Sequence, residues 1–291
     1  VTLRVLISFA AWTPSTERHL ADAASRVRLD WVLDSGAFTA HSKGQPITVE
    51  QYGKFLQALH ARRDVPHPSR YMTLDVIGNP KGTLTNYAAL RKMGFKPEPI
   101  FTRGAPLEQL DAYLETADRV AIGNLGNRKS RLGYLKYLFS QRRALAQRSH
   151  LLGVTELDSL LWWKPASVDS SSWATPLRYG TVSILLNDGR LVNYGRGDMH
   201  RLVQSKRRDE IEQALRNRGS TLAEAMVEAN WKAHYKTAWR TRVTVRSWLT
   251  YCKIVAHTTG TDIYLAVTNI ESLAILVEEY AGLNPTEKVA A

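Results

Sequence analysis

The chain contains one cysteine, Cys252, among 291 residues. A lone thiol excludes an intrachain disulfide and any zinc site built on several cysteines, whatever the compartment. No apolar stretch approaches the roughly 20 residues that a membrane helix needs, so no membrane partner is expected. The opening run VTLRVLISFAAW is strand-like, too short for a signal peptide and without a small-residue cleavage pattern behind it, which makes the cytoplasm the expected location. Internal repeats and low-complexity linkers are also missing, and only the tail after Leu283 reads as loose.

Acidic residues are lacking in two stretches. Between Asp118 and Glu156 there are eight Lys or Arg and no acid, and the stretch from Ala229 to Thr261 holds Lys232, Lys236, Arg240, Arg242, Arg246 and Lys253 with none. The net charge is +12. Blocks of one sign point to a polyanionic partner, because each neutralised phosphate releases condensed counterions. The alternative is a solvated basic surface with no partner.

What is present is globular composition, 44% hydrophobic and 23% charged, arranged as β-rich runs alternating with helical spacing. The expected strands are Leu3 to Phe9, Asp30 to Ser35, Tyr71 to Val76, Glu98 to Thr102, Arg119 to Gly123, His150 to Val154, Ala166 to Asp169 and Asp262 to Val267. Helices are expected at Ser15 to Val27, Thr48 to Arg62, Thr83 to Met93, Pro106 to Thr116, Lys129 to Arg148, Glu156 to Trp163 and Glu271 to Tyr280, with start signals such as Thr48 ahead of Glu50 and Pro106 at a first helical position. Such alternation predicts right-handed βα units, and eight of them predict an α/β chain folded as a (β/α)₈ TIM barrel in one domain over 1–291.

One interruption falls between the seventh and eighth strands, over 181–260. It opens with Thr181 to Tyr194, where Asn187-Asp188-Gly189 joins two apolar runs as a hairpin turn would. A helical insert is then expected from about Gln204 to Lys253. In it Trp231, Tyr235 and Trp239 recur every fourth residue beside a stripe of Lys232, Lys236 and Arg240 on the same expected helix. Aromatics at this spacing form either a core or a stacking platform, and the stripe beside them is either solvated or turned to nucleic acid.

In a barrel the chemistry gathers where strands end and βα loops begin. Three expected strands end in an aspartate: Asp34 in WVLDSGAF, Asp75 in MTLDVIGNP and Asp169 in ASVDSSSW. Each alone reads equally as a turn or helix cap. Together they suggest a functional rim, since like charges brought close are costly unless a ligand or reaction uses them. Thr102-Arg103-Gly104 and Gly123-Asn124-Leu125-Gly126 end two further strands in glycine-containing polar turns, which admit a flat ligand or serve loop geometry alone. Paired carboxylates without metal ligands suit reaction at an acetal-like carbon, and with a basic surface that carbon is C1′ of a nucleotide.

These motifs resemble those of the tRNA-guanine transglycosylases. Asp34-Ser-Gly-Ala-Phe38 resembles the family's DSGGF motif, Thr73-Leu-Asp75 its base-recognising strand, and Val120 to Gly126 its glycine-rich base-binding loop. Leu151-Leu-Gly-Val154 followed by Ser167-Val-Asp169 is similar to the segments that lead to the family's nucleophile, and Thr175-Pro176, Arg178, Gly180-Thr181 and the Asn187-Asp-Gly hairpin follow in the family's order. The resemblance covers roughly Leu3 to Asn193 and the last strand and helix. Where the tRNA enzymes carry a zinc subdomain, this chain has the basic, aromatic insert, and in this it resembles the zinc-free DNA-guanine transglycosylases of bacteria and phages, the DpdA group.

The resemblance implies that Asp169 is the nucleophile and Asp34 the general acid and base. Asp75, Ser35, Gly36, Arg103, Gly104, Gly123, Asn124, Leu125 and Gly126 would bind the base, with Phe38 either stacking on it or buried in the core. Backbone phosphates would meet Arg128, Lys129, Arg131, Arg178, Lys232, Lys236 and Arg240. No cofactor and no zinc are expected; the implied partners are DNA and a 7-deazaguanine base as co-substrate, and accessory modification proteins are left open. A tRNA-directed enzyme without the zinc lobe, a noncatalytic nucleic-acid-binding barrel and a sugar-processing glycosidase are the rival expectations.

Overall fold

The computed structural model describes residues 2–234, 239–267 and 269–284. β1 (Leu3–Ser8) leads through α1 (Pro14–Arg26) to β2 (Leu29–Asp34), and α2 (Ala37–Ser42) and α3 (Val49–Ala61) precede β3 (Arg70–Tyr71). The alternation continues through α4 (Pro80–Lys92), β4 (Ile100–Thr102), α5 (Leu107–Thr116), β5 (Val120–Gly123), α6 (Arg128–Gln141), β6 (Ser149–Leu151), α7 (Leu157–Trp163) and β7 (Ser167–Ser170). Then come α8 (Thr175–Tyr179), the strands β8 (Val182–Leu185) and β9 (Leu191–Tyr194), and the helices α9 (Arg196–Val203), α10 (Arg208–Arg216), α11 (Leu222–Met226), α12 (Glu228–Lys232) and α13 (Trp239–Thr259). β10 (Asp262–Val267) and α14 (Glu271–Leu283) end the described chain.

Eight strands form one parallel sheet in the order β3-β2-β1-β10-β7-β6-β5-β4. The sheet curls until its two edge strands meet at a parallel bridge between Met72 and Glu98, where Thr73 N–H donates to the Glu98 carbonyl at 2.9 Å and Glu98 N–H to the Tyr71 carbonyl at 2.8 Å. This α/β architecture, with helices around a curled parallel sheet, is compatible with a TIM-like barrel.

The third strand is shorter than the expected Tyr71 to Val76. Beyond the Met72 bridge the polar backbone groups are met by side chains instead of a ladder: Asn86 Nδ2 donates to the Leu74 carbonyl at 3.0 Å and Val76 N–H to Thr83 Oγ1 at 2.9 Å. Two start signals also resolve differently. Thr48 caps α3 with Gln51, not Glu50, as the reciprocal partner, and Pro106 is the N-cap of α5 rather than its first residue.

Alternate strand residues face inward, and the interior divides into layers. At the N-terminal ends of the strands Arg4 pairs with Asp30 and Asp262, at 3.7 and 3.2 Å, and Arg70 with Glu98 at 2.5 Å. Above them lies an apolar layer of Leu6, Val32, Met72, Ile100, Ala121, Tyr264 and Ala266. Asp34, Asp75 and Asp169 lie above that, beyond or at the strand ends. The largest core fills the space between sheet and helices, including Trp31, Leu33, Tyr52, Leu56, Leu135 and Trp173.

Residues between β7 and β10 build a second core of Val182, Ile184, Met199, Ile211, Leu215, Trp231, Trp239 and Val243. β8 and β9 pair antiparallel around the Asn187-Asp-Gly turn, with Gly189 at φ +84°. α13 serves both cores, with Val243 in the second and Trp248, Leu249 and Val255 in the first. The single helix expected to carry Trp231, Tyr235 and Trp239 is not formed, because α12 ends at Lys232. Arg240 Nη1 donates to the Trp231 carbonyl, the group a continuing helix would turn to residue 235. Trp231 and Trp239 are core residues from different helices, with ring centroids 5.5 Å apart. Tyr235 and Lys236 lie outside the described residues. Among the described residues no helix is long and apolar enough to cross a membrane.

Candidate active site

β2 places Asp34 as its last residue, and the chain turns immediately. Gly36 N–H donates to Asp34 Oδ2 at 2.9 Å, closing the Asp-Ser-Gly turn that leads into α2. Asp34 thus closes a turn, while the N-cap of α2 is Gly36 and no side chain caps that helix. Gly36 itself has φ +76°, and a Cβ there would lie 2.4 Å from Ala10 Cβ and 2.6 Å from Ser8 Oγ. Its missing side chain is required by the close approach of Ser8 and Ala10 after β1.

Asp34 is half-buried, and its pKa is pushed up to about 7, first by burial and then by the charge of Asp75, with Asp169 adding to it against the Gly36 hydrogen bond. That both other aspartates act on Asp34 shows that the three converge. Asp75 is also raised by burial, with Ser35 Oγ donating to its Oδ1 at 3.5 Å, the limit of a hydrogen bond. Ser35 is fully buried.

Asp169, in β7, is fixed differently. Its Oδ1 accepts from Gly153 N–H at 3.1 Å and meets His150 Nε2 at 3.3 Å, and its side chain is 15% exposed. His150 is fully buried in β6, and its Nδ1 lies 2.8 Å from Ser167 Oγ. Ser167 Oγ also receives Arg70 Nη2 at 3.4 Å and Arg119 Nη1 at 3.3 Å. Arginines only donate, so the serine hydroxyl proton points to Nδ1, which leaves Nε2 as the protonated nitrogen that donates to Asp169. Both donors reach Oδ1, and among the described residues no hydrogen bond occupies Oδ2. The arrangement leaves one carboxylate oxygen available for attack on an electrophile and sets it beside an acid that titrates near neutrality.

The other expected site residues fall into three groups. Asn124, Leu125 and Gly126 form the turn from β5 into α6, with Asn124 at φ +54° and Gly126 at φ +66°, and Leu125 is buried. Gly123 is buried where a Cβ would press on Ile100 and Leu152, and Gly104 sits at φ +97° after β4. Arg103 stacks over the Tyr134 ring at 4.8 Å. Phe38 is 72% exposed on α2, which removes its core reading.

Among the residues expected at phosphates, Arg128 and Lys129 are exposed at the start of α6 and Arg178 is exposed on α8. Arg131 is buried and paired with Glu156, Arg240 is turned inward to Trp231, and Lys232 pairs with Glu228 at 2.8 Å. Arg131 and Arg240 are thus corrected to structural roles. His150, Ser167, Arg70 and Arg119 were not singled out from sequence. The available signal was a histidine inside the apolar run of β6, one strand away from Asp169.

Compared with known proteins, the chain matches no family model and no curated protein.

Proposed function

We propose that the protein is a DNA-guanine transglycosylase, a pentosyltransferase working on a closed (β/α)₈ barrel whose insert between β7 and β10 stands where the tRNA enzymes carry zinc. The observation that carries this reading is the pairing of an anchored carboxylate, Asp169, with a half-buried one, Asp34, whose pKa lies near 7. Asp169 Oδ2 attacks C1′ of a deoxyguanosine as the C1′–N9 bond breaks; guanine takes the bonding pair and a proton from Asp34. The incoming 7-deazaguanine then gives its N9 proton to the Asp34 carboxylate, N9 attacks C1′, and the bond to Asp169 breaks. Two displacements retain configuration. A group that must first give and then take a proton works best with a pKa near the working pH, as Asp34 has.

Asp75 and the turn Gly123 to Gly126 read the base in this scheme, and Phe38 is exposed enough to stack on it. Duplex DNA hides C1′, so the target nucleotide flips out of the stack at a cost of a few kcal/mol.

The test supplies guanine-containing DNA and tRNA separately with labelled 7-cyano-7-deazaguanine. Wild-type protein should label DNA, Asp169→Ala should label nothing, and Asp34→Asn should be slower by about 10²–10⁴-fold. Label in tRNA alone would overturn the DNA reading, and unchanged labelling by Asp169→Ala would overturn the nucleophile.

A further inference from the structure

The acid-free stretch from Arg119 to Thr155 separates in the fold into two sets of cations. Arg119 turns to Ser167, Arg131 to Glu156, Arg142 to Asp111, and Arg148 to the carbonyls of Leu114, Ala117 and Asp118. Arg128, Lys129, Lys136 and Arg143 remain exposed. Three of these four line a cleft of about 900 Å³ between α6 and α7, together with Gly133 and Trp162.

We infer that this cleft is a channel for an unpaired strand of nucleic acid, with Trp162 as its stacking platform. The inference rests on the transglycosylase reading only for where the strand leads. Trp162 is 80% exposed, the most open of the large apolar side chains among the described residues. An indole so placed offers its face to whatever enters the cleft, and nucleic-acid bases stack on such faces without regard to sequence. Gly133 lies in mid-helix, a position that weakens a helix, and no atom comes within 4 Å of where its Cβ would be. Its lack of a side chain leaves the wall of the cleft open.

The charges select the occupant. Asp158 is the one acid lining the cleft, and it lies 3.9 Å from Arg128. Lys136 and Arg143 have no ion pair among the described residues. A row of exposed cations, with Lys136 and Arg143 unpaired among the described residues, beside a bare aromatic matches phosphates joined to bases. The row begins at Arg128, directly after the Asn124 to Asn127 turn at the rim of the site, and follows α6 away from it. The helix spans about 21 Å at 1.5 Å per residue, room for a few nucleotides. A paired, stacked base has no free face for Trp162, so the channel suits the strand flanking an extruded nucleotide and not a duplex.

The experiment measures fluorescence anisotropy of a labelled thymidine oligonucleotide, which holds no guanine and cannot react, against a hairpin duplex of equal length, with the full chain. Wild type should prefer the oligonucleotide. Trp162→Ala should weaken that binding about tenfold while Trp162→Phe restores most of it, and Lys136→Glu with Arg143→Glu should weaken it further and reduce the dependence on log salt by about 1.4, two contacts at about 0.7 each. Circular dichroism checks that each variant is folded. Oligonucleotide binding that is absent in wild type, or equal in all variants, overturns the channel, as does a preference for the duplex. Base exchange by the same variants and Asp169→Ala is scored separately. Wild type that binds through the cleft but exchanges no base would sink the transglycosylase reading alone. Exchange with cleft-independent binding would sink the channel alone.

Discussion

Asp34 carries a cost that depends on pH. Its folded pKa, about 7, lies above the ordinary aspartate value of 3.8, so the folded state binds the extra proton between these values. The contribution to stability is full below about pH 4 and is lost as pH rises through about 7. Asp34→Asn mimics the protonated form; it should leave Tm nearly unchanged at pH 4 and raise it by a few degrees at pH 8, measured by thermal melts. A Tm gain equal at both pH values would mean that burial is not what shifts Asp34. His150 acts on Asp169 through the single hydrogen bond from its Nε2. Replacing it by Phe removes that donor from the carboxylate and should slow base exchange about 10–100-fold, whereas His150→Gln retains much of the rate. Equal rates for the Phe and Gln variants would assign His150 to packing alone. The three aspartates were legible because each closes an expected strand, although in the fold Asp75 lies beyond β3 and Asp169 just inside the end of β7. His150 was not, because its partners lie on other strands and their register, His150 opposite Ser167, is not written in either segment alone.

At the scale of elements, the sheet was legible because hydrophobic runs of four to six residues alternate with longer helical patterns. The hairpin was announced by Asn-Asp-Gly. The docking of β8 was not: its backbone N–H groups at Ser183 and Leu185 are met by Thr244 Oγ1 at 3.0 Å and Ser247 Oγ at 3.3 Å, hydroxyls from α13 about sixty residues away. Removing either acceptor leaves a buried donor without a partner. Thr244→Val and Ser247→Ala should each cost about 1–3 kcal/mol, seen as a Tm lower by several degrees. The break after α12 was equally hidden, because Ala233 and His234 are not helix breakers and the competing donor, Arg240, comes from the next helix. Gly36→Ala tests the other element junction. Strain at φ +76° and the contact with Ala10 should lower stability by about 2 kcal/mol or more, with loss of exchange as the Asp34 turn is displaced.

Over the whole molecule the net charge of +12 is less free than its sequence blocks suggest. In the second block Arg242 pairs with Glu224, Arg246 with Glu279, and Lys253 donates to Asn284. Sequence alone could locate the cations but not the acids folded against them. Lys232→Ala and Arg242→Ala should therefore change the salt dependence of DNA affinity little, since both are already paired with acids. The account stands or falls on a covalent bond at one oxygen. Incubating the protein with guanine-containing DNA but no incoming base, then digesting both and mapping the adduct by mass spectrometry, tests this directly. The account predicts a deoxyribosyl ester on Asp169, absent in Asp169→Ala. An adduct on Asp34 or Asp75, or base exchange that proceeds with no ester formed, would contradict it.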